Sequence, residues 1–151
     1  MTFYPIGNAD CCKIDLSNGK KLLFDYACMK NNEDENDLRI DLQKVLNDDL
    51  KNANRKHYDV VAFTHADDDH IHGFSDFFFL EHDKNFQDSN RIKIQELWVP
   101  AAIITETGLE DESLILRSEA RFRLKNGKGI RVFSRPERLE EWLKKNGLTI
   151  N

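Results

Sequence analysis

The sequence predicts an α/β domain. Three observations carry that reading. An Asn-Gly turn joins two short apolar stretches near the amino terminus, two buried-strand patterns follow at Tyr58–Phe63 and Glu96–Pro100, and helical apolar spacing fills the intervals. At 151 residues the chain is about one domain's worth, 1–151 being read as a single unit, and can bury a sizeable core without disulfides.

The elements follow in order. The first 26 residues read as β structure: Cys11 to Leu16 forms a strand, and Ser17-Asn18-Gly19-Lys20 favours a two-residue hairpin. Leu22-Leu23-Phe24 returns and ends at Asp25. Asn31 to Glu35 is an acidic, solvated approach to a helix over about 36–54, where Leu38, Leu42, Val45, Leu46, Leu50 and Ala53 recur at three- and four-residue spacing. Tyr58 to Phe63, short and rich in β-formers, is a buried strand running into Thr64-His65-Ala66-Asp67-Asp68-Asp69-His70-Ile71-His72-Gly73. Phe74 to Leu80 is apolar and suits a short helix, and Asp83 to Lys93 a surface loop. Glu96 to Pro100 is a second buried strand. Residues 109–125 suit a helix, Ile130 to Phe133 a strand, and Arg135 to Lys145 a last helix started by Pro136. No internal repeat or linker interrupts this alternation.

Composition narrows the function classes. Acidic side chains outnumber basic ones, 27 to 22, and basic runs such as Lys20-Lys21 and Lys144-Lys145 are only pairs. A protein that grips nucleic acid broadly by its phosphates usually shows a basic surplus or stripe, so composition argues against that class, while a pocket admitting one phosphodiester remains compatible. The amino terminus lacks a basic start followed by an apolar stretch, and no apolar run could cross a bilayer. A cytoplasmic location with no membrane partner is the expectation. The three cysteines, Cys11, Cys12 and Cys28, read as reduced packing residues, with adjacent Cys11 and Cys12 pointing to opposite faces of a strand.

The chemistry concentrates between His65 and His70, where five potential metal ligands fall within six residues just after a buried strand. The rigid strand end aims such side chains and the loop lets several converge. Asp67-Asp68-Asp69 alone would read as a solvated turn. Flanked by His65 and His70, behind an apolar strand and ahead of Gly73, it reads as a metal-binding loop.

Thr64-His65-x-Asp67-x-Asp69-His70-x-x-Gly73 resembles the His-x-His-x-Asp-His motif of the metallo-β-lactamase fold hydrolases. Gly7-Asn8-Ala9-Asp10, the hairpin turn Asn18-Gly19-Lys20 and the strand Leu22-Leu23-Phe24-Asp25 resemble that fold's opening β-hairpins. Asp at the third motif position looks like the branch related to competence-type DNA-uptake hydrolases. The resemblance implies half of an αββα sandwich, with a mixed sheet and helices on one face. It places His65 and Asp67 on a first metal and Asp69 and His70 on a second, with Asp69 also the catalytic residue that orients the attacking water. Asp25 would hydrogen-bond a ligand histidine and fix its tautomer. His72 would stand behind the ligands, and Asp68 would face solvent.

Two departures shape the expectation. Asp67 stands where the motif has its second His, a harder oxygen donor that tilts the site towards manganese or magnesium without excluding zinc. The family's later His, bridging Asp and last His have no counterpart, since only His72 and His82 follow His70. The chain therefore looks like the amino-terminal half of the fold plus an insertion, whether a truncated gene product, an expressed fragment or one part of a split protein.

Two functional expectations follow. One is a metal-dependent hydrolase, phosphodiesterase-like, using one or two divalent ions (Zn2+ or Mn2+) and a metal-activated water on a small-molecule or phosphodiester substrate. The other is a catalytically incomplete half-domain that binds one metal and associates with itself, as an oligomer, or with a partner chain completing the fold. Of the remaining residues, Glu106, Glu110, Asp111 and Glu112 read as a solvated helix start, and Arg117, Arg121 and Arg123 as a solvated helix side. Trp98 and Trp142 read as core, and His57 and His82 as surface.

Overall fold

The structure, a computed structural model, describes residues 1–7, 9–134 and 136–149. Asn8 of the Gly7–Asp10 turn and Arg135 at the expected start of the last helix lie outside them. One six-stranded mixed sheet runs in sequence order: β1 (Thr2–Phe3), β2 (Cys12–Asp15), β3 (Lys21–Phe24), β4 (His57–Ala62), β5 (Lys93–Pro100) and β6 (Ile130–Phe133). β1, β2 and β3 pair antiparallel, and β3 to β6 pair parallel. The helices are α1 (Leu42–Asn52), α2 (Asp68–Ile71), α3 (Phe74–Phe77), α4 (Ala101–Thr105), α5 (Asp111–Asn126) and α6 (Glu137–Lys145), with a 3-10 turn at Lys84–Phe86.

Several boundaries depart from expectation for local reasons. The hairpin loop holds three residues, not two: Leu16 N–H donates to Lys20 O at 2.9 Å and Gly19 takes φ 86°. That is the three-residue loop whose last position favours glycine. α1 starts at Leu42, not near 36, because Asp41 caps it by accepting from Lys44 N–H. Upstream, Asn31, Asp34 and Asp37 each accept backbone N–H groups from nearby residues, a local pairing that competes with helix. Leu38, counted in the apolar stripe, is 93% exposed.

Each parallel crossover steps the same way along the sheet, and right-handed crossovers then place all their helices on one face. Burial agrees. Leu23, Val61 and Leu97 lie side by side and form one core with Leu42, Leu46 and Leu50 of α1, Leu116 and Ala120 of α5, and Leu139 and Leu143 of α6. Tyr26, Phe63, Phe74, Phe77 and Phe78 pack an aromatic knot into it, with ring centroids 4.8 to 6.5 Å apart. On the same face Lys13 and Lys21, both nearly buried, share Asp15 and Asp49 at 2.7 to 3.1 Å.

The opposite face is open. Cys12, Ile14, Leu22, Phe24, Val60 and Trp98 are each half-buried, and none belongs to the core or packs on it. Trp98 is therefore not a core residue: its indole N–H donates to Glu96 at 2.6 Å, and the Arg131 guanidinium sits 5.3 Å over its ring. Trp142 does pack on the core.

Several charged side chains of α5 are inside. Glu119 is fully buried and accepts the Glu81 N–H at 2.7 and 2.8 Å, with His82 3.7 Å away. Arg123, on the helix side read as solvated, is 5% exposed and donates to the Ile94 and Gly129 carbonyls at 2.9 and 2.8 Å. Glu112 accepts from the Ser75 hydroxyl at 2.8 Å, and its burial raises its pKa above the ordinary value. Cys11 is buried and Cys12 half-buried, as opposite-facing neighbours on a strand should be, and all three cysteines are free thiols.

Candidate metal centre

β3 and β4 are neighbouring parallel strands, and their carboxyl ends deliver Asp25 and the Thr64–His70 loop to the same place. Loops at that end of parallel strands are where α/β sheets build ligand sites. Asp25 is the pivot. Its N–H donates to Ala62 O at 2.8 Å, and its backbone takes φ 58°, a left-handed conformation that Asp tolerates better than most residues. This turns its buried carboxylate towards the loop, where it accepts from Thr64 N–H at 2.8 Å and Thr64 Oγ1 at 2.7 Å. Asp25 Oδ2 also lies 3.1 Å from His70 Nδ1.

That last contact orients the imidazole. With Nδ1 bound to a carboxylate, the lone pair or proton on Nε2 faces outward, where Asp69 Oδ1 stands 3.6 Å away. Partial burial pushes the His70 pKa down, but the Asp25 hydrogen bond and the charges of Asp25, Asp69 and Asp10 outweigh it, and the pKa stands above the ordinary histidine value. His65 is exposed and its ring centroid is 4.7 Å from that of His70, with Thr64 Oγ1 3.0 Å from its Nδ1. The loop is further tied down by His70 O accepting from Tyr26 N–H at 2.9 Å, and by Asp69 O accepting from Asp10 N–H at 3.1 Å.

The structure thus brings His65, Asp69 and His70 together around Asp25. Asp67 is exposed at the amino end of α2 and makes no side-chain hydrogen bond or ion pair with the others among the described residues. Asp68 and His72 pair with each other at 2.9 Å, both largely exposed, so His72 supports none of the other donors. Asp10, quoted in the opening turn but given no role by sequence reasoning, enters the cluster, its Oδ2 being 3.8 Å from His70 Nδ1. Thr64 was likewise missed; its position between strand and motif was the available signal. Among the described residues no three His, Cys, Asp or Glu side chains form a ready-made metal cage. The donors approach in pairs.

No protein-family profile, curated protein or solved structure matches the chain.

Proposed function

We propose that the Thr64–His70 loop holds a divalent cation and that the chain is a metal-dependent hydrolase of the metallo-β-lactamase type, acting on a phosphodiester-like bond. The observation that carries the reading is the Asp69, His70, Asp25 line of contacts: a carboxylate holds one imidazole nitrogen so that the other presents to a second carboxylate. This is how proteins orient and strengthen a histidine ligand. The donor chemistry suits one cation, with His65 and His70 as nitrogen donors and Asp69 as an oxygen donor, and it favours zinc or manganese. Asp67 is the candidate fourth donor. When bound, such an ion lowers the pKa of a water and stabilises charge developing on the substrate oxygen.

The chain's own residues have defined parts. Asp25 keeps the Nδ1 proton of His70 in place, so Nε2 is the nitrogen that binds. The raised His70 pKa sets proton and cation in competition for the imidazole, so occupancy should rise with pH. Asp69, 3.6 Å from His70 Nε2, would orient a water and accept its proton. The test is turnover after reconstitution with Zn2+ or Mn2+ on a phosphodiester, lactam and thioester panel. Activity on the phosphodiester, lost in Asp69→Ala, supports the reading; no turnover on any member contradicts it.

A second reading, a catalytically incomplete half-domain that binds one ion and joins a second copy or partner chain, is favoured by one observation. The open sheet face leaves Ile14, Leu22, Phe24, Val60 and Trp98 half-exposed, and contiguous apolar surface of this kind marks association sites. Light scattering decides. Association that disappears in a Leu22→Lys, Trp98→Lys variant with unchanged melting supports it, and a clean monomer at high concentration contradicts it.

A further inference from the structure

At the other end of β4 and β5 from the His65–His70 loop, roughly 20 Å along the strands, lies a half-open cavity of about 720 Å³. It sits between the first residues of those strands and the last turn of α5. Its walls combine two kinds of surface. Ile94 and Phe122 supply apolar area, Phe122 being a large aromatic left 40% exposed. Lys93, Lys128 and Arg123 supply positive charge, opposed by one acid, Glu81. Among the described residues neither Lys93 nor Lys128 reaches a carboxylate within ion-pair distance, and Lys93 Nζ instead rests 4.9 Å over the Phe79 ring.

Arg123 forms the floor. Its side chain is 95% removed from solvent by its neighbours, being 5% exposed, yet it lines the cavity. Two of its guanidinium nitrogens are used on backbone carbonyls, while Nε, without a hydrogen-bond partner among the described residues, faces the Glu119 carboxylate at ion-pair distance, 3.7 Å. That carboxylate is itself engaged by the Glu81 N–H. The buried Glu119 charge offsets the guanidinium, so the unpaired cations of this cavity among the described residues are Lys93 and Lys128. Gly129 packs closely on this floor: at φ 72° a β-carbon there would fall 3.0 Å from Arg123 Nη1 and 3.2 Å from Gln95 O.

We propose that this cavity binds a small organic anion, with a flat apolar body against Phe122 and Ile94 and one acidic group met by Lys93 and Lys128. Carboxylates, sulfates and phosphates share this chemistry. The site is independent of the metal-binding loop, so either can fail alone.

The test titrates the nitrogen-15-labelled full chain with anilinonaphthalene sulfonate and follows backbone amides by NMR. The expected result is saturable shifts at Gln95, Lys128 and Gly129, with affinity about tenfold or more weaker in a Lys93→Glu, Lys128→Glu variant that melts like the parent. Competition with benzoate and with phenyl phosphate then separates a carboxylate preference from a phosphate one. Three results overturn the proposal: no shifts, shifts confined to Leu22, Val60 and Trp98 on the open sheet face, or unchanged affinity in the charge-reversed variant.

Discussion

Replacing Asp25 tests the architecture of the loop more sharply than any other single change. Its carboxylate accepts from Thr64 N–H and Thr64 Oγ1, contacts His70 Nδ1, and sits on a left-handed backbone at φ 58°. Hydrogen bonds to a charged group contribute about 1.5–3 kcal/mol each when buried, but Thr64 is exposed and water replaces part of what it loses. Removing the carboxylate should therefore cost about 2 kcal/mol in all. The backbone separates the variants further. Asp25→Ala keeps the left-handed strain, which glycine relieves, so Ala should be about 1 kcal/mol worse than Asp25→Gly. Asp25→Asn retains both the backbone tolerance and one acceptor oxygen and should cost about 1 kcal/mol. Urea denaturation should thus rank Asn, Gly and Ala in order of increasing loss, with unchanged slope. Because Asp25 raises the His70 pKa, NMR titration of Asp25→Asn should show it falling towards about 6.5 or below. Equal cost for Gly and Ala, or an unmoved His70 titration in Asp25→Asn, refutes the reasoning.

Three further outcomes are expected. The hydrogen bond from Lys21 holds the Asp15 carboxyl below its usual pKa, so its stabilisation is present above about pH 4 and is lost as pH falls through the lower folded value. Asp15→Asn should flatten that part of the acid-unfolding curve, and an unchanged curve counts against the ion network. The Tyr58 hydroxyl is buried without a hydrogen-bond partner among the described residues, so Tyr58→Phe should be neutral or stabilising by up to about 1 kcal/mol in thermal unfolding, and a clear loss contradicts the assignment. Gly129→Ala should cost more than Gly127→Ala: both have positive φ, but only at Gly129 does the new β-carbon press on the Gln95 carbonyl and Arg123. The expected gap is about 1 kcal/mol or more by chemical denaturation, and equal losses contradict the crowding argument.

Where local chemistry decided the structure, the sequence was legible. The α/β alternation, the strands around Val61 and Leu97, and the helices ending near Asn52 and Lys145 follow from apolar period and from turn residues such as Gly19. The boundary of α1 was not legible, because the helical spacing of Leu38 competes with Asp34 and Asp37 side chains that bond the backbone nearby, and spacing carries no information about that competition. Arg123 read as part of a solvated helix side because its partners, the Ile94 and Gly129 carbonyls, come from other elements. Trp98 misled for the opposite reason: a large apolar residue in a buried-strand pattern implies a covered face, and here that face is open. At the candidate site the motif pointed to His65, Asp69, His70 and Asp25, which do converge. Asp10 arrives only because the opening turn folds back onto the Asp69 carbonyl, and Asp67 turns outward at the start of α2.

The central claim is that this loop binds a divalent cation, and elemental analysis of the purified chain alongside His65→Ala and Asp69→Ala tests it most directly. The account predicts a single Zn2+ or Mn2+ per chain, lost from both variants while their melting stays close to the parent's. Metal-free protein after reconstitution, or a metal content that neither substitution changes, contradicts it.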